Sequence, residues 1–290
     1  MEIFELKYFL AVAQVENVNR AAETIHVSAG SLSKTIARLE QELQTPLFFR
    51  RGRGIQLTPE GQLLKKRATQ IVQMEEDARL QLTGQEMGSL NVYLSSAEVL
   101  QAGFGAGLAK KIHSLYPKAR IQFYVRTEEQ ALEQVESGEA HLALITQEAP
   151  VHLTAKTLAK VEFVTCVSRE HPLYKKYGAK SVPIEEVLQY GFVSPDSQIL
   201  GKIHRSSSAD GWRDDKFPRQ IKFKVSGLKL MENLLRDGLA VGYLPDYFVY
   251  SAGLEKLKVS GCPYHCQQTV RLVTKDPKEL GWLQRLWDKV

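Results

Sequence analysis

The first side chains that could do chemistry lie on one face of a predicted helix that begins after Ser28. The opposite face repeats apolar residues at spacings of four, three and four: Leu32, Ile36, Leu39 and Leu43. The chemical face combines small, hydroxyl-bearing and basic side chains: Ala29, Gly30, Ser31, Ser33, Lys34, Ala37 and Arg38. Small residues let a helix approach a groove of DNA, hydroxyl groups can hydrogen-bond base edges, and cations can contact phosphates. This pattern predicts a helix that lies in the major groove.

A shorter helix precedes it, as a helix-turn-helix arrangement needs. We expect Asn19 to cap this helix, because its side-chain oxygen can accept a hydrogen bond from an unpaired backbone N–H, and we place Asn19 at the interface with DNA. Ala21, Ala22 and Ile25 form the apolar side of the helix, and Ser28 is the predicted cap of the next one. An amphipathic stripe upstream predicts a helix that packs behind the pair: Leu6, Phe9, Leu10 and Ala13.

Residues 47–57 predict a basic β-hairpin with a turn at Gly52 and Gly54. Arg53 at the tip can enter a minor groove, whereas Arg50 and Arg51 can contact phosphates. Between residues 34 and 67, eight Lys and Arg side chains stand against three Glu side chains. An arginine-rich hairpin by itself can be ordinary solvated surface. The coincidence of helix pair, hairpin and local positive charge favours DNA binding.

The same segment resembles the winged helix-turn-helix of LysR-type transcriptional regulators over roughly residues 4–62. The resemblance rests on Arg20-Ala21-Ala22, Val27-Ser28, Ser33-Lys34, Arg38-Leu39-Glu40, Pro46-Leu47-Phe48, Arg50 and Leu57-Thr58-Pro59-Glu60-Gly61. It implies a sequence-specific regulator that binds double-stranded DNA. Ala29-Gly30 stands where the family usually has Gln-Pro. Alanine cannot make the bidentate contact with adenine that glutamine makes, so the usual base reading cannot simply be transferred.

Thr58 and Pro59 predict the start of a long helix, because proline at the first helical position loses no hydrogen bond. A stripe with spacings of four and three follows along this helix: Leu64, Ala68, Ile71, Glu75, Ala78 and Leu82. The stripe can pack on its own domain or pair with a second copy. We favour pairing into a homodimer or homotetramer, because the preceding domain is small, and a polar residue in the seam could then fix the register.

The rest of the chain alternates apolar runs with helical patterns, which predicts an α/β domain with a mainly parallel sheet. The predicted strands are Leu90–Leu94, Ile121–Val125, Leu142–Ile145, Glu162–Val167, Gly191–Val193, Ile221–Val225 and Ala240–Leu244, with helices such as Leu108–Tyr116 and Glu128–Ser137 between them. We therefore predict a winged helix-turn-helix domain over 1–58, a linker helix over 59–88 and a two-lobed domain over 89–290, with its second lobe at about 163–265.

This last domain resembles the effector-sensing domain of the same regulators, which is similar to periplasmic solute-binding proteins. The markers are Leu115-Tyr116-Pro117, Gly138-Glu139, His171-Pro172-Leu173, Gly238-Leu239-Ala240-Val241-Gly242 and Leu244-Pro245. The resemblance depends on the order of these motifs and on the DNA-binding segment in front of them.

Hydroxyl side chains follow several predicted strands: Ser95, Ser96, Thr127, Thr146, Ser194 and Ser226. Ligands of open α/β sheets collect at the carboxyl ends of strands, where helix N-termini offer N–H groups. These side chains therefore predict a site for a small-molecule effector, with an anion favoured. Each of them could instead be a plain helix cap. Ser95, Ser96 and Thr127 match the effector positions of the family best.

Composition and the remaining motifs argue against other classes of protein. The chain has 290 residues, 43% of them hydrophobic, a net charge of +5 and no run of apolar residues long enough for a membrane span, so we expect a cytoplasmic protein with no membrane partner. Gly103, Gly105 and Gly107 lack the full dinucleotide spacing, and Cys262 and Cys266 lack enough companions for a metal site. We expect no cofactor, no metal and no enzyme activity.

Three functions remain. A transcriptional regulator controlled by an effector uses both halves of the chain and is preferred. The alternative is an effector-independent architectural protein that binds DNA, which would leave the predicted hydroxyl-lined cleft without a role. A solute-binding protein or enzyme built on the second half would need export or a catalytic group, and the sequence offers neither.

Overall fold

The computed structural model describes residues 1–52, 54–83, 90–202 and 208–290. The chain divides into two compact units. The first contains residues 1–90 with 137–139 and 277–287, and the second contains 91–136, 140–276 and 288–290. In the described parts of the chain, no helix combines the length and the apolar character that a membrane crossing requires.

Helices and a hairpin build the first unit: α1 Ile3–Val15, α2 Val18–Thr24, α3 Ala29–Leu43, β1 Phe48–Arg51, β2 Gly54–Leu57 and α4 Pro59–Thr83. Their shared core contains most of the side chains predicted to face inward: Leu6, Phe9, Ala13, Ala21, Ala22, Leu32, Ile36 and Leu39. Leu43, predicted on the same face of α3, is 38% exposed at the end of that helix, so the prediction was wrong there. The cap of α3 is Ser28, whose hydroxyl accepts from Ser31 N at 3.1 Å. The cap of α2 is Asn17, which accepts from Arg20 N at 3.1 Å, so the prediction of Asn19 was wrong by two residues.

The start of α4 is tied to the segment before the hairpin. Thr58 Oγ1 accepts from Gly61 N at 2.9 Å and donates to Pro46 O at 2.8 Å. A Cβ at Gly61 would lie 2.2 Å from Leu47 O, so the close approach of these backbones requires glycine. The predicted helix start at Thr58 and Pro59 is confirmed.

The predicted stripe on α4 divides between two environments. Ala68 is completely buried in the core of its own unit and Leu64 packs partly against that core, so Ala68 has no surface left for a second copy. Glu75 pairs with Lys7 of α1 at 3.0 Å and with Arg79, so it does not lie in an open seam. The exposed members of the predicted stripe are Ile71, Ala78 and Leu82, and Met74, which the sequence did not include in it, is exposed beside them.

The remaining helices and strands follow in chain order. They are β3 Asn91–Ser96, α5 Glu98–Leu100, a π-helical segment Gln101–Gly105, α6 Ala106–Leu115, β4 Arg120–Val125, α7 Glu128–Ser137, β5 Leu142–Ile145, β6 Thr154–Val167, α8 Pro172–Tyr177, β7 Ser181–Pro183, α9 Ile184–Val187, β8 Gly191–Pro195, β9 Gln220–Val225, α10 Leu228–Arg236, β10 Gly242–Pro245, α11 Asp246–Ser251, β11 Glu255–Lys256, β12 Lys258–Ser260, β13 Cys266–Thr274, a 3-10 turn Pro277–Glu279 and α12 Gly281–Lys289.

The main sheet is mixed, not mainly parallel as predicted. Its described strands run in the order β10-β6-β13-β5-β3-β4, and β11 pairs with β6. The strand β3 is parallel to β4 and β5, whereas β13 is antiparallel to β5 and β6. The strands β8 and β9 form a separate parallel pair. Apolar periodicity finds strands but does not encode the direction in which they pair.

A buried ion pair organises the part of the second unit around β9. Arg219 donates to both oxygens of Asp210 at 2.7 Å, and neither side chain is exposed. The guanidinium also lies over the rings of Phe192 and Trp212, at 5.3 and 5.2 Å from the ring centres. Asp214 accepts from Arg219 at 3.0 Å. The charge of Arg219 therefore holds the indole of Trp212 in place.

Removing this guanidinium should leave the Asp210 carboxylate buried without its cation. We expect Arg219→Met to lower the free energy of unfolding by about 3–5 kcal/mol. The matched control is Arg213→Met, which breaks the exposed pair with Asp215 and should change that free energy little. Urea unfolding of both variants measures the difference. Equal effects of the two substitutions would contradict the assigned role of the buried pair.

Candidate nucleic-acid interface and effector site

The chemical face predicted for α3 is exposed. Gly30, Ser31, Ser33 and Lys34 lie on the solvent side, and Ala29 is partly buried at the first position of the helix. A Cβ at Gly30 would meet nothing within 4 Å, so packing inside the protein does not require glycine there. Glycine at this position leaves the start of α3 free to approach another surface closely.

Arg38 contacts α1 as well as solvent. Its Nε donates to Glu5 Oε1 at 2.7 Å, and its guanidinium lies 5.7 Å from the ring centre of Phe4. Burial would raise the pKa of the Glu5 carboxyl, but hydrogen bonds from Glu2 N and from Arg38 hold this pKa below its usual value. Arg38 therefore fixes α3 against α1, and its side chain remains 59% exposed.

The hairpin is fixed to α3 by the carboxylate of Glu40, which the sequence named only as part of the motif Arg38-Leu39-Glu40. Glu40 Oε1 accepts from Leu47 N at 2.7 Å and from Phe48 N at 3.1 Å, at the start of β1. Glu40 thus satisfies two backbone donors at the point where the hairpin begins. The start of the hairpin is thereby held against the last turn of α3.

Two of the three predicted hairpin arginines can be placed. Arg50 and Arg51 are exposed on β1, and Arg51 Nη1 donates to Gln56 Oε1 of β2 at 2.8 Å. Gly52 turns the chain at φ +57, a conformation that favours glycine. Arg53 lies outside the described residues. Asn19 is exposed at the second position of α2.

Most of the hydroxyl groups predicted at strand ends bond within the protein. Ser95 Oγ donates to Gln134 Oε1 at 2.8 Å, and Ser96 donates to Ala97 O at 3.3 Å. Ser194 donates to Pro195 O at 3.4 Å. Thr127 Oγ1 accepts from Gln130 N at 3.3 Å. Thr127 is therefore a helix cap, which was the alternative to a ligand-binding role in the sequence analysis. Ser226 is exposed after β9.

Thr146 belongs to a cluster around a buried carboxylate. Glu128, at the start of α7, is fully buried. Its Oε1 accepts from Thr146 N at 2.9 Å, Thr146 Oγ1 at 2.5 Å and Lys202 N at 3.0 Å, and its Oε2 accepts from Gln147 N at 3.1 Å. Sequence reasoning missed Glu128, because a glutamate in the first turn of a helix is typical of exposed surface.

A cavity of about 900 Å³ opens beside Thr146 and Lys202 in the second unit. The strands β6 and β13 contribute to its wall. Its aromatic lining comprises Phe163, Trp212, Phe217, Tyr243 and Tyr264. Its cationic lining comprises Lys202, Arg213, Lys256, Lys258 and Arg271, against the carboxylates of Glu148 and Glu162. Of the predicted hydroxyl residues, only Thr146 lines this cavity.

Several cations of the cavity are held in place by partners. Arg213 is bidentate with Asp215 at 2.7 Å, and its guanidinium lies 4.6 Å from the ring centre of Tyr264. Lys202 Nζ pairs with Glu129 at 2.5 Å, and hydrogen bonding to Lys202 lowers the pKa of that carboxyl. Burial raises the pKa of the Cys266 thiol in the wall to about 11, which favours the thiol over the thiolate at neutral pH.

Two family models match the chain. The model of the bacterial regulatory helix-turn-helix proteins of the lysR family matches residues 3–62, and the model of the LysR substrate binding domain matches residues 83–287. The chain belongs to the LysR family of transcriptional regulators. As a member of this family it binds DNA, regulates transcription and responds to an effector, as the sequence predicted. The family consists of regulators rather than enzymes.

Curated relatives include other LysR-family regulators. The Hca operon transcriptional activator HcaR of Escherichia coli is 29% identical over 257 residues, which are 85% of this chain and 82% of that protein. A probable RuBisCO transcriptional regulator of Synechocystis sp. is 26% identical over 258 residues, 87% of this chain and 72% of that protein.

Solved structures confirm the predicted fold class. A full-length OxyR variant from Pseudomonas aeruginosa superposes with a TM-score of 0.66 at 20% identity, covering 99% of this chain and 94% of that one. CbnR complexed with its target DNA gives a TM-score of 0.65 at 18% identity, covering 100% of this chain and 99% of that one. LysG from Corynebacterium glutamicum with bound Arg gives a TM-score of 0.61 at 16% identity, covering 100% of this chain and 96% of that one.

The exposed arginines of β1 allow a test of the hairpin. If Arg50 and Arg51 each contact a phosphate, alanine at either position should weaken binding to all DNA sequences and reduce the dependence of log K on log salt by about 0.9. Arg120→Ala, an exposed arginine of the second unit, is the control. Fluorescence anisotropy at several salt concentrations measures this slope. An unaltered slope in both hairpin variants would remove Arg50 and Arg51 from the interface.

Proposed function

We propose that this regulator reads its operator with α3, contacts the DNA backbone with the hairpin, assembles through α4 and binds a small anionic effector in the cavity of the second unit. The observation that carries the DNA-binding part is the exposed face of α3 together with two exposed hairpin arginines. The proposed contact residues are Asn19, Ser28, Ala29, Gly30, Ser31, Ser33, Lys34, Arg38, Arg50, Arg51 and Arg53. Because operator DNA lies in the cytoplasm of a bacterium, we expect the protein to act there.

The contact residues have different proposed roles. Ser33 and Lys34 lie where a helix in the major groove presents its side chains to base edges, so they would supply direct readout. Arg38 is held by Glu5, and we therefore assign it a positioning role beside any phosphate contact. With Ala29 and Gly30 at the start of α3, the first turn would contribute close approach instead of a bidentate contact.

The proposed assembly surface is the exposed stripe of α4, formed by Ile71, Met74, Ala78 and Leu82. Met74 is 62% exposed and Leu82 is 87% exposed, although both are apolar and lie at helical spacing with Ile71. Pairing with a second copy would bury this stripe, as in a two-stranded coiled coil. Two reading helices would then contact two half-sites, which is how dimeric helix-turn-helix proteins gain affinity. Pairing through α4 gives a homodimer, and a homotetramer would consist of two such dimers.

A charge in this stripe should prevent the pairing. We expect Met74→Asp to yield monomers that bind the operator much more weakly, because an aspartate in the seam would be buried without a partner. Gln62→Asp, at an exposed position of α4 outside the stripe, should leave assembly intact. Sedimentation velocity at matched concentrations measures the oligomeric state. A dimer of normal stability in Met74→Asp would contradict the proposed surface.

The lining of the cavity supports an anionic effector with an aromatic group. Five cations and two carboxylates line the opening, and the aromatic side chains offer flat apolar walls. Four of these cations already pair with a carboxylate: Lys202 with Glu129, Arg213 with Asp215, Lys256 with Glu162 and Arg271 with Glu148. Arg213 over Tyr264 combines both features at one place. A planar carboxylate could meet a cation with its charge and the rings with its body.

Binding of such an effector should stabilise the protein and alter its binding to DNA. We expect benzoate, at about ten times its dissociation constant, to raise the thermal midpoint by a few degrees, and benzamide, which lacks the charge, to raise it less. Retardation of operator DNA with and without benzoate then tests the coupling, which must be reciprocal. No shift from any member of a panel of aromatic and aliphatic carboxylates would refute the anionic effector and leave DNA binding untouched.

A further inference from the structure

The four donors around Glu128 have the chemistry of a carboxylate-binding site. Three are backbone N–H groups, from Thr146, Gln147 and Lys202, and the fourth is the Thr146 hydroxyl. Backbone N–H groups that converge on one point bind anions without a cationic side chain. The Lys202 ammonium is not part of the cluster, since it pairs with Glu129. The carboxylate of Glu128 is therefore the ligand of a site built by the backbone.

This carboxylate connects three segments that are distant in sequence. Thr146 and Gln147 follow β5, Lys202 ends the stretch after β8 that the structure describes, and Glu128 opens α7. Gly201 has φ +84, and a Cβ there would lie 3.0 Å from Glu128 Oε1, so the backbone closes tightly over the carboxylate. The position of residues 201–202 thus depends on the presence of a carboxylate between them and the loop after β5.

The cluster also borders the cavity proposed for the effector. Thr146 and Lys202 contribute both to the hydrogen bonds with Glu128 and to the cavity wall. A ligand carboxylate from the cavity could use these donors only by taking the place of the Glu128 carboxylate, because each donor already points at Glu128. The two carboxylates could not share the site, because each donor has one hydrogen to give and two anions at this distance repel.

We propose that the donors from Thr146, Gln147 and Lys202 form a carboxylate-binding site in which Glu128 is an internal ligand, and that an external carboxylate competes with Glu128 for it. This inference rests on the proposed effector-binding function and names the group that the effector has to displace. The displacement would free Glu128 and α7 from residues 201–202 while the donors remain satisfied. Binding of a carboxylate would then change the connection between these segments, which is the property that a sensor needs.

The test removes the Glu128 carboxylate by mutation and supplies acetate from solution in its place. Glu128→Ala removes a CH₂–COO⁻ group, and acetate has the shape of the group that is removed. We expect this variant to be less stable than the wild type and to regain several degrees of thermal midpoint with acetate in a saturable way, at constant ionic strength with chloride as the reference. Wild-type protein should show a much smaller acetate effect. Glu128→Gln, which keeps the space filled, should show none beyond the chloride reference.

A second variant identifies the donors. Adding Thr146→Val to Glu128→Ala removes the hydroxyl donor, so acetate should bind at least several-fold more weakly. Amide hydrogen exchange at residues 146, 147 and 202 gives a readout that does not depend on global stability. Exchange should quicken in Glu128→Ala and slow again with acetate. If Glu128→Ala does not fold without acetate, recovery of folded protein in acetate but not in chloride supports the site.

Several outcomes would overturn the inference. They are an acetate response in Glu128→Ala no larger than in wild type, rescue by chloride to the same extent, and no recovery of folded protein in either salt. The inference would also be overturned if the variant with both Glu128→Ala and Thr146→Val bound acetate as tightly as Glu128→Ala alone. If in that case the wild type still binds operator DNA and responds to benzoate, the proposed function stands and only the internal carboxylate ligand is refuted.

Discussion

The pairing of β6 with β13 is the constraint on which the rest of the second unit depends. The two strands run antiparallel with partners from Cys266 and Phe163 at one end to Thr274 and Thr154 at the other. The strand β13 also pairs with β5, and β6 also pairs with β10. These two strands therefore join the parallel strands β3, β4 and β5 to β10, and they place their own side chains in the wall of the cavity. Loss of this pairing would remove the cavity together with the sheet.

Carboxylates serve as connectors in both units. Glu5 holds Arg38 of α3 against α1, and Glu40 holds the start of the hairpin against α3. Glu128 gathers the loop after β5 and residues 201–202. Glu40 and Glu128 accept from backbone N–H groups that regular secondary structure leaves unpaired, whereas Glu5 accepts from the guanidinium of Arg38. The elements that present functional surfaces are thus positioned by acidic residues that do not themselves lie on those surfaces.

Predictions from the sequence were mostly correct where a feature depends on neighbouring residues and failed where it depends on tertiary packing. Ser28 and Thr58 cap the helices that the sequence assigned to them, because a cap depends only on neighbours within three residues. Asn17, not Asn19, caps α2, because the helix begins at Val18 and Asn19 already lies within its first turn. On α4 the periodicity located the stripe, but it could not tell that Ala68 faces the core of its own unit while Leu82 is exposed. That division depends on which part of α4 packs against the core of the first unit.

The sequence by itself determined the helix-turn-helix segment, the basic hairpin, the long helix and the α/β character of the second half. These features depend on local periodicity, capping and composition, which a linear chain displays directly. Only the tertiary structure decided the mixed direction of the sheet, the cavity with its aromatic and cationic lining, and the role of Glu128. The residues of the cavity are spread from Thr146 to Arg271 and meet only after β6 and β13 pair. Glu128 finds its donors 18 and 74 residues away. Contacts at such separations depend on topology, and no local pattern of residues encodes them.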